Sequence, residues 1–93
     1  MVKEVRWSKP AVKKFDSIVE YLVNEWGNQV AKEFVVKTFD LVNLLKQFPE
    51  IGSIQNKDRN IRGLLITKHV RLFYRIKGAH IVLLNSYENK LQS

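Results

Sequence analysis

The sequence predicts an α+β domain of two layers, a helical hairpin packed on a small antiparallel sheet in the order β-α-α-β-β-β. Three observations predict it. Apolar residues recur at helical spacing from Ala11 to Trp26 and again from Ala31 to Phe48, with only Gly27-Asn28 as a break between the two stretches. Three short apolar runs follow, divided by short polar segments of turn composition. With 93 residues there is material for one core. The helices and the strands must therefore cover each other, and residues 1–93 read as a single domain.

Each element has its own local signal. Val2 to Trp7 sets Val2, Glu4 and Arg6 against Lys3, Val5 and Trp7, which suggests a short strand with one wet face. Ser8 is a helix cap, and Pro10 falls in the first turn, where a missing N–H costs nothing. Ala11, Phe15, Ile18, Leu22 and Trp26 form the apolar stripe of the first helix, with Lys13, Lys14, Asp16, Glu20 and Asn24 on its other faces. Gly27 suits the end of that helix and Asn28 the cap of the next. The second stripe is Ala31, Phe34, Val35, Thr38, Val42, Leu45 and Phe48, and Pro49 ends it. By type and spacing, Trp26, Phe34, Phe39 and Phe48 read as core.

Residues 50–60 are polar, contain Gly52 and show no periodicity, so they read as a connection. The strands expected next are Ile61–Ile66, Val70–Ile76 and Ile81–Ser86, with turns at Thr67-Lys68-His69 and Lys77-Gly78-Ala79-His80. In the middle strand Val70, Leu72, Tyr74 and Ile76 alternate with Arg71, Phe73 and Arg75. Ile81 to Leu84 is apolar on both faces, as an interior strand is. The first strand is expected to join the edge of this meander.

Composition narrows the function classes. Hydrophobic residues at 45% and charged residues at 27% are ordinary globular values and argue against disorder. The absence of cysteine excludes disulfides and thiolate metal sites. His69 and His80 stand in or beside turns without supporting ligands, so no metal and no cofactor is expected. No window is apolar enough to span a membrane, and the charged amino terminus lacks a signal core. A cytoplasmic setting is expected. The serines form no nucleophile elbow and the glycines no phosphate-cradling loop.

Charge is the informative feature. Residues 1–58 carry nine Lys/Arg against eight Asp/Glu, whereas residues 59–93 carry seven against one. No acid occurs from Arg59 to Tyr87, and Arg59, Arg62, Lys68, Arg71, Arg75 and Lys77 punctuate the strand region. Such a surface repels itself unless an anionic partner docks, so Arg59, Lys68, His69, Phe73 and Arg75 are candidate binding residues. Charge alone does not choose between nucleic acid and an acidic protein segment.

Trp7, Ala11, Ile18, Tyr21-Leu22, Trp26-Gly27, Ala31 and Phe34, followed by Phe48-Pro49-Glu50-Ile51-Gly52, Ile61-Arg62-Gly63 and Leu72-Phe73-Tyr74-Arg75-Ile76, together resemble the RelE/ParE superfamily of toxins. These are the toxic halves of bacterial type II toxin–antitoxin modules, and the resemblance runs over nearly the whole chain. It implies a cognate antitoxin as partner, with operator DNA reached only through that antitoxin. It also implies one of two targets, DNA gyrase in ParE-like members or the ribosome and its mRNA in RelE-like members. The length of the hairpin before Pro49 is more similar to the ParE side.

If the chain cleaves mRNA, a 2′-OH attacks the adjacent phosphodiester, and cations must stabilise the charged phosphorane while another group moves the proton. Arg71 matches the position of a catalytic arginine in the RelE pattern, and Arg62 the position of a functional lysine. The RelE pattern also has an arginine and a tyrosine near the carboxyl terminus. Here Tyr87 and Lys90 are the only residues that stand in for them, and a lysine cannot copy a planar bidentate guanidinium. Three functions stay open on this reading: a gyrase-directed toxin, a ribosome-dependent endoribonuclease, and a non-toxic relative that only binds an antitoxin.

Overall fold

The computed structural model describes residues 4–88. The elements run β1 (Glu4–Trp7), α1 (Lys9–Trp26), α2 (Asn28–Gln47), β2 (Ser53–Asn56), β3 (Ile61–Thr67), β4 (Val70–Lys77) and β5 (His80–Glu88). The strands form one sheet in the order β1-β5-β4-β3-β2. The α+β layering expected from the sequence is present, with α1 packed on β5 and α2 on β3 and β1.

Two features of the sheet differ from the expectation. The first strand does join an edge, but it runs parallel to β5, with Val5 opposite Ile81 and Trp7 opposite Leu83, so the sheet is mixed. The connection after Pro49 is not structureless. It holds the edge strand β2, antiparallel to β3 with Ser53 opposite Gly63. Ser53-Ile54-Gln55-Asn56 is too short and too polar to show a period of two, and a bulge between Ile54 and Asn56 breaks the little alternation there is.

The helix boundaries follow local chemistry. The Ser8 hydroxyl accepts from the Ala11 N–H at 3.2 Å and donates to the Leu84 carbonyl at 3.0 Å, so one side chain both caps α1 and ties it to β5. Leu84 is the extra residue where β5 bulges, because Phe73 faces Asn85 while Tyr74 faces Leu83. At the hairpin, Gly27 and not Asn28 caps α2. Its φ of 93° is one that a side chain would disfavour, and it lets a single residue reverse the chain.

The core occupies the space between the layers. Ala11, Val42, Leu45, Leu72, Tyr74, Ile81 and Leu83 form its main cluster, and Ile18, Phe34 and Val70 a second near the hairpin tip. Along β4, Val70, Leu72 and Tyr74 point into it, as the alternation predicts. Of the four aromatics assigned to the core, only Phe34 is there. Trp26 is 67% exposed, Phe48 57% and Phe39 47%. Trp26 and Phe48 stand at helix ends, where the apolar stripe outruns the sheet that would cover it. Phe39 lies at the flank, against Trp7 and Phe15 at centroid distances of 5.8 and 6.1 Å.

Candidate functional site

Three arrangements follow from this scaffold: an open cationic sheet face, a half-buried arginine clamp and an apolar groove. The first arises because both helices cover the same side of the sheet. Arg71, Phe73, Arg75 and Lys77 alternate with the core residues of β4 and therefore project from the uncovered side. Same-face neighbours on a strand stand roughly 7 Å apart, so the face reads guanidinium, aromatic, guanidinium, ammonium along one line. Phe73 lies across β3 because its partner there is Gly63. A Cβ at that position would meet the ring at 3.0 Å.

The edge of this face is electrostatically settled. Arg6 Nε donates to Glu4 Oε2 at 2.7 Å, and His80 Nε2 stands 3.8 Å from Glu4 Oε1. The hydrogen bond from Arg6 holds the Glu4 carboxyl below its usual range, and the same bond raises Arg6. Among the described residues Arg71, Arg75 and Lys77 form no ion pair. They remain available to an anion.

Arg62 belongs to a different place. It sits opposite Tyr74 in the β3–β4 register, whereas Arg71 sits opposite Leu65. Arg62 and Arg71 therefore leave the sheet on opposite faces. The Arg62 guanidinium donates through Nη1 to the Glu50 carbonyl at 3.0 Å and the Gly52 carbonyl at 2.8 Å. Its Nε is buried without a partner. Beside it, the fully buried Tyr74 hydroxyl donates to the Pro49 carbonyl at 2.7 Å and accepts from the Gly52 N–H at 2.9 Å. Burial is the main cause that pushes the Tyr74 phenol above its usual pKa. Gly52 is needed for this approach, since a Cβ there would lie 2.8 Å from the Tyr74 oxygen. The Pro49–Gly52 loop, Arg62 and Tyr74 make one clamp.

The groove lies at the hairpin tip. Ile18, Tyr21, Leu22 and Trp26 of α1, Val30 and Phe34 of α2, and Val70 of β4 line a cavity of about 760 Å³. Glu33, Lys37, Thr67, Lys68 and His69 complete the lining, so the polar fringe carries two lysines against one carboxylate. Trp26 and Tyr21, at 67% and 47% exposed, present open ring surface to it. Sequence reasoning missed this groove because it assigned Trp26 to the core. The available signal was position: Trp26 is the last residue of α1, next to the reversal at Gly27.

The sequence-predicted residues are thus distributed. Arg71, Phe73 and Arg75 share the open face. Lys68 and His69 lie in the β3–β4 turn and line the groove. Arg59 is exposed in the β2–β3 turn, at the other end of β3, where its N–H donates to Asn56 Oδ1. Tyr87 is placed by its backbone, paired with Arg71. Lys90 lies outside the described residues. Among the described residues, no cluster of three His, Cys, Asp or Glu is placed to hold a metal ion, and no helix is long and apolar enough to cross a membrane.

A family model described as the ParE toxin of type II toxin–antitoxin systems, parDE, matches residues 5–85. A comparison with curated proteins gives no match. Among solved structures, the chain is similar to one described as the chromosomal ParDE TA system from P. aeruginosa, with a TM-score of 0.75 and 21% identity over 91% of this chain and 94% of that one. A YoeB/ParE toxin from Agrobacterium tumefaciens aligns with a TM-score of 0.66 and 16% identity, over 91% of this chain and 96% of its own. A heterotetrameric YoeB-YefM toxin-antitoxin complex from Staphylococcus aureus aligns with a TM-score of 0.60 and 14% identity, over 91% and 93%. At these identities the structural likeness establishes a shared fold.

Proposed function

Because this chain belongs to the ParE toxin family of type II toxin–antitoxin systems, we propose that it arrests growth by binding a cellular target, DNA gyrase, and that a cognate antitoxin neutralises it. The observation that carries the choice of binding over cleavage is the separation of Arg62 from Arg71. Phosphodiester cleavage needs its cations and its proton carrier converged on one phosphate. Here Arg62 is spent on two loop carbonyls on the helix side, and His69 lines the groove rather than the face that carries Arg71. Among the described side chains, what remains on the open face is a line of cations around Phe73, with Tyr87 paired through its backbone to Arg71, which suits docking to an anionic surface.

The antitoxin reading is supported by the groove. Its apolar lining takes the apolar stripe of a partner helix, and Lys37 and Lys68 favour an acidic one. Any contact with operator DNA is made through that antitoxin. A second reading, a ribosome-dependent endoribonuclease, is favoured by one observation, the Arg71-Phe73-Arg75 line, which has the cations and the stacking ring that an RNA strand requires.

The test uses purified protein freed of its antitoxin. It is incubated with gyrase and supercoiled plasmid, and in parallel with a defined mRNA under translation. Gyrase-dependent double-strand breaks support the proposal. Intact plasmid together with new mRNA ends in A-site codons, lost in Arg71→Ala, replaces it with the nuclease. Neither product leaves antitoxin binding as the function.

A further inference from the structure

The cationic line of β4 runs on into two turns at the end of the sheet away from the groove. Residues 57–60 link β2 to β3, and Gly78 and Ala79 link β4 to β5. The first turn is fastened to β4. The Asn60 carbonyl accepts from the Ile76 N–H at 3.1 Å, and Asn60 Nδ2 donates to the Ile76 carbonyl at 3.3 Å. Inside the turn the Asn60 N–H donates to the Lys57 carbonyl at 3.2 Å and the Arg59 N–H to Asn56 Oδ1 at 3.0 Å. Asn60 takes a φ of 56°, a left-handed conformation that asparagine tolerates. Since Ile61 faces Arg75 and Asn60 is tied to Ile76, Arg59 comes beside the Lys77 end of β4. Lys57, Arg59 and Lys77 are exposed, and Arg75 stands roughly 7 Å behind Lys77 on the same face.

Charge and composition together select the partner. Lys57, Arg59, Arg75 and Lys77 are accompanied in these turns by one carboxylate, Asp58, and none of the five enters an ion pair among the described residues. Glu4, on the neighbouring edge, is already held by Arg6. Neither turn contains a large apolar side chain. Among the described residues, the one strongly exposed large apolar side chain of the open face, Leu65, lies at its far end opposite Arg71. A protein partner draws its affinity from apolar anchors at the centre of its footprint. A chain of phosphates needs no anchor, only cations that reach it.

We propose that this end of the sheet binds the phosphate backbone of duplex DNA, so that the anionic surface met by the open face is the DNA that gyrase holds. The inference rests on the gyrase reading for the source of that DNA. Phosphate contacts carry no base readout, so the choice of operator stays with the antitoxin. The groove at the hairpin tip takes no part.

The test is the fluorescence anisotropy of a labelled duplex of about 20 base pairs, titrated with the purified full chain without gyrase from about 50 to 200 mM salt. Four phosphate contacts give an expected slope of about −3 to −4 in log affinity against log salt. Arg59→Ala with Lys77→Ala is expected to weaken binding about tenfold or more and to flatten the slope by about 2. Lys13→Ala with Lys32→Ala, exposed on the helices, removes the same charge and is expected to leave affinity within about twofold and the slope unchanged. Circular dichroism checks that both variants fold. A wild type that leaves the duplex unbound overturns the proposal, and so does equal weakening by the two double variants, which would mean that net charge alone acts. A single-stranded RNA of the same length bound about tenfold or more tighter than the duplex also overturns it and assigns the face to RNA. With gyrase and supercoiled plasmid, the Arg59→Ala, Lys77→Ala protein is expected to need about tenfold more protein for equal breakage, and undiminished breakage counts against the proposal. A wild type that binds the duplex yet breaks no plasmid keeps the phosphate site and refutes the gyrase reading alone.

Discussion

Replacing Arg62 with methionine separates a structural role from a catalytic one. The variant keeps a long flexible side chain but removes two charge-assisted hydrogen bonds, to the Glu50 and Gly52 carbonyls. The bond to Glu50 is exposed, and water replaces it at little cost. The bond to Gly52 is partly buried, and losing it costs about 1.5–3 kcal/mol. Methionine also removes the buried Nε that has no partner, which returns up to about 1 kcal/mol. The net loss is then about 0.5–3 kcal/mol, or about 2–24 °C in Tm for a domain of this size. Arg71→Ala, on the open face, is expected to stay within about 0.5 kcal/mol of wild type. Thermal melts followed by circular dichroism, beside a growth assay on the same variants, give both readouts. An Arg62→Met protein with an unchanged melting temperature and abolished toxicity would refute the clamp and return Arg62 to the chemistry.

Three further outcomes follow from the same geometry. Tyr74 has a raised pKa in the folded state, so its contribution to stability is complete below the unfolded value of about 10 and is lost as pH rises through the folded value. Urea melts at pH 7 and above pH 10 should show that loss in wild type and not in Tyr74→Phe, which starts about 2–3 kcal/mol lower for its missing hydroxyl; equal slopes would contradict the assignment. Gly63→Ala is expected to cost about 1–3 kcal/mol in denaturant melts, because the new Cβ meets the Phe73 ring at 3.0 Å; a neutral result would mean that the ring does not rest on β3. Trp26→Ser should leave stability within about 0.5 kcal/mol yet weaken antitoxin binding about tenfold or more by calorimetry, and unaltered affinity would remove the groove from that interface.

The fold was legible where one local rule acted alone. Ser8, Pro10, Gly27 and Pro49 mark the helix ends through backbone chemistry that needs no tertiary partner, and the alternation along β4 gave both faces of the sheet correctly. Legibility ended where a residue's role depends on what lies across from it. The parallel direction of β1 depends on β5, and β2 exists because β3 offers an edge to a stretch with no pattern of its own. The site shows the same limit. Arg62 and Arg71 look alike in a run of cations, and only the pairing of Arg62 with Tyr74 and of Arg71 with Leu65 puts them on different faces. Trp26, Phe39 and Phe48 have core composition, and only the extent of the sheet decides that they stay outside.

The two surfaces offered to an antitoxin are on opposite sides of the sheet, yet one segment reaches both. The β3–β4 turn is where they meet: Lys68 and His69 line the groove, and Arg71 begins the open face two residues later. A partner whose helix fills the groove and whose chain then crosses this turn runs directly onto Arg71, Phe73 and Arg75. Its binding energy divides by kind. Burial of Trp26 and Tyr21 depends little on salt, whereas contacts to Arg71 and Arg75 are screened at roughly 8–10 Å under ordinary ionic strength. Salt should therefore weaken the complex without abolishing it, and Arg71→Ala with Arg75→Ala should flatten the salt dependence while the groove contribution persists. An equal salt slope in that double variant would mean that the partner's acids never reach the open face, and that Lys37 and Lys68 carry the charge term alone.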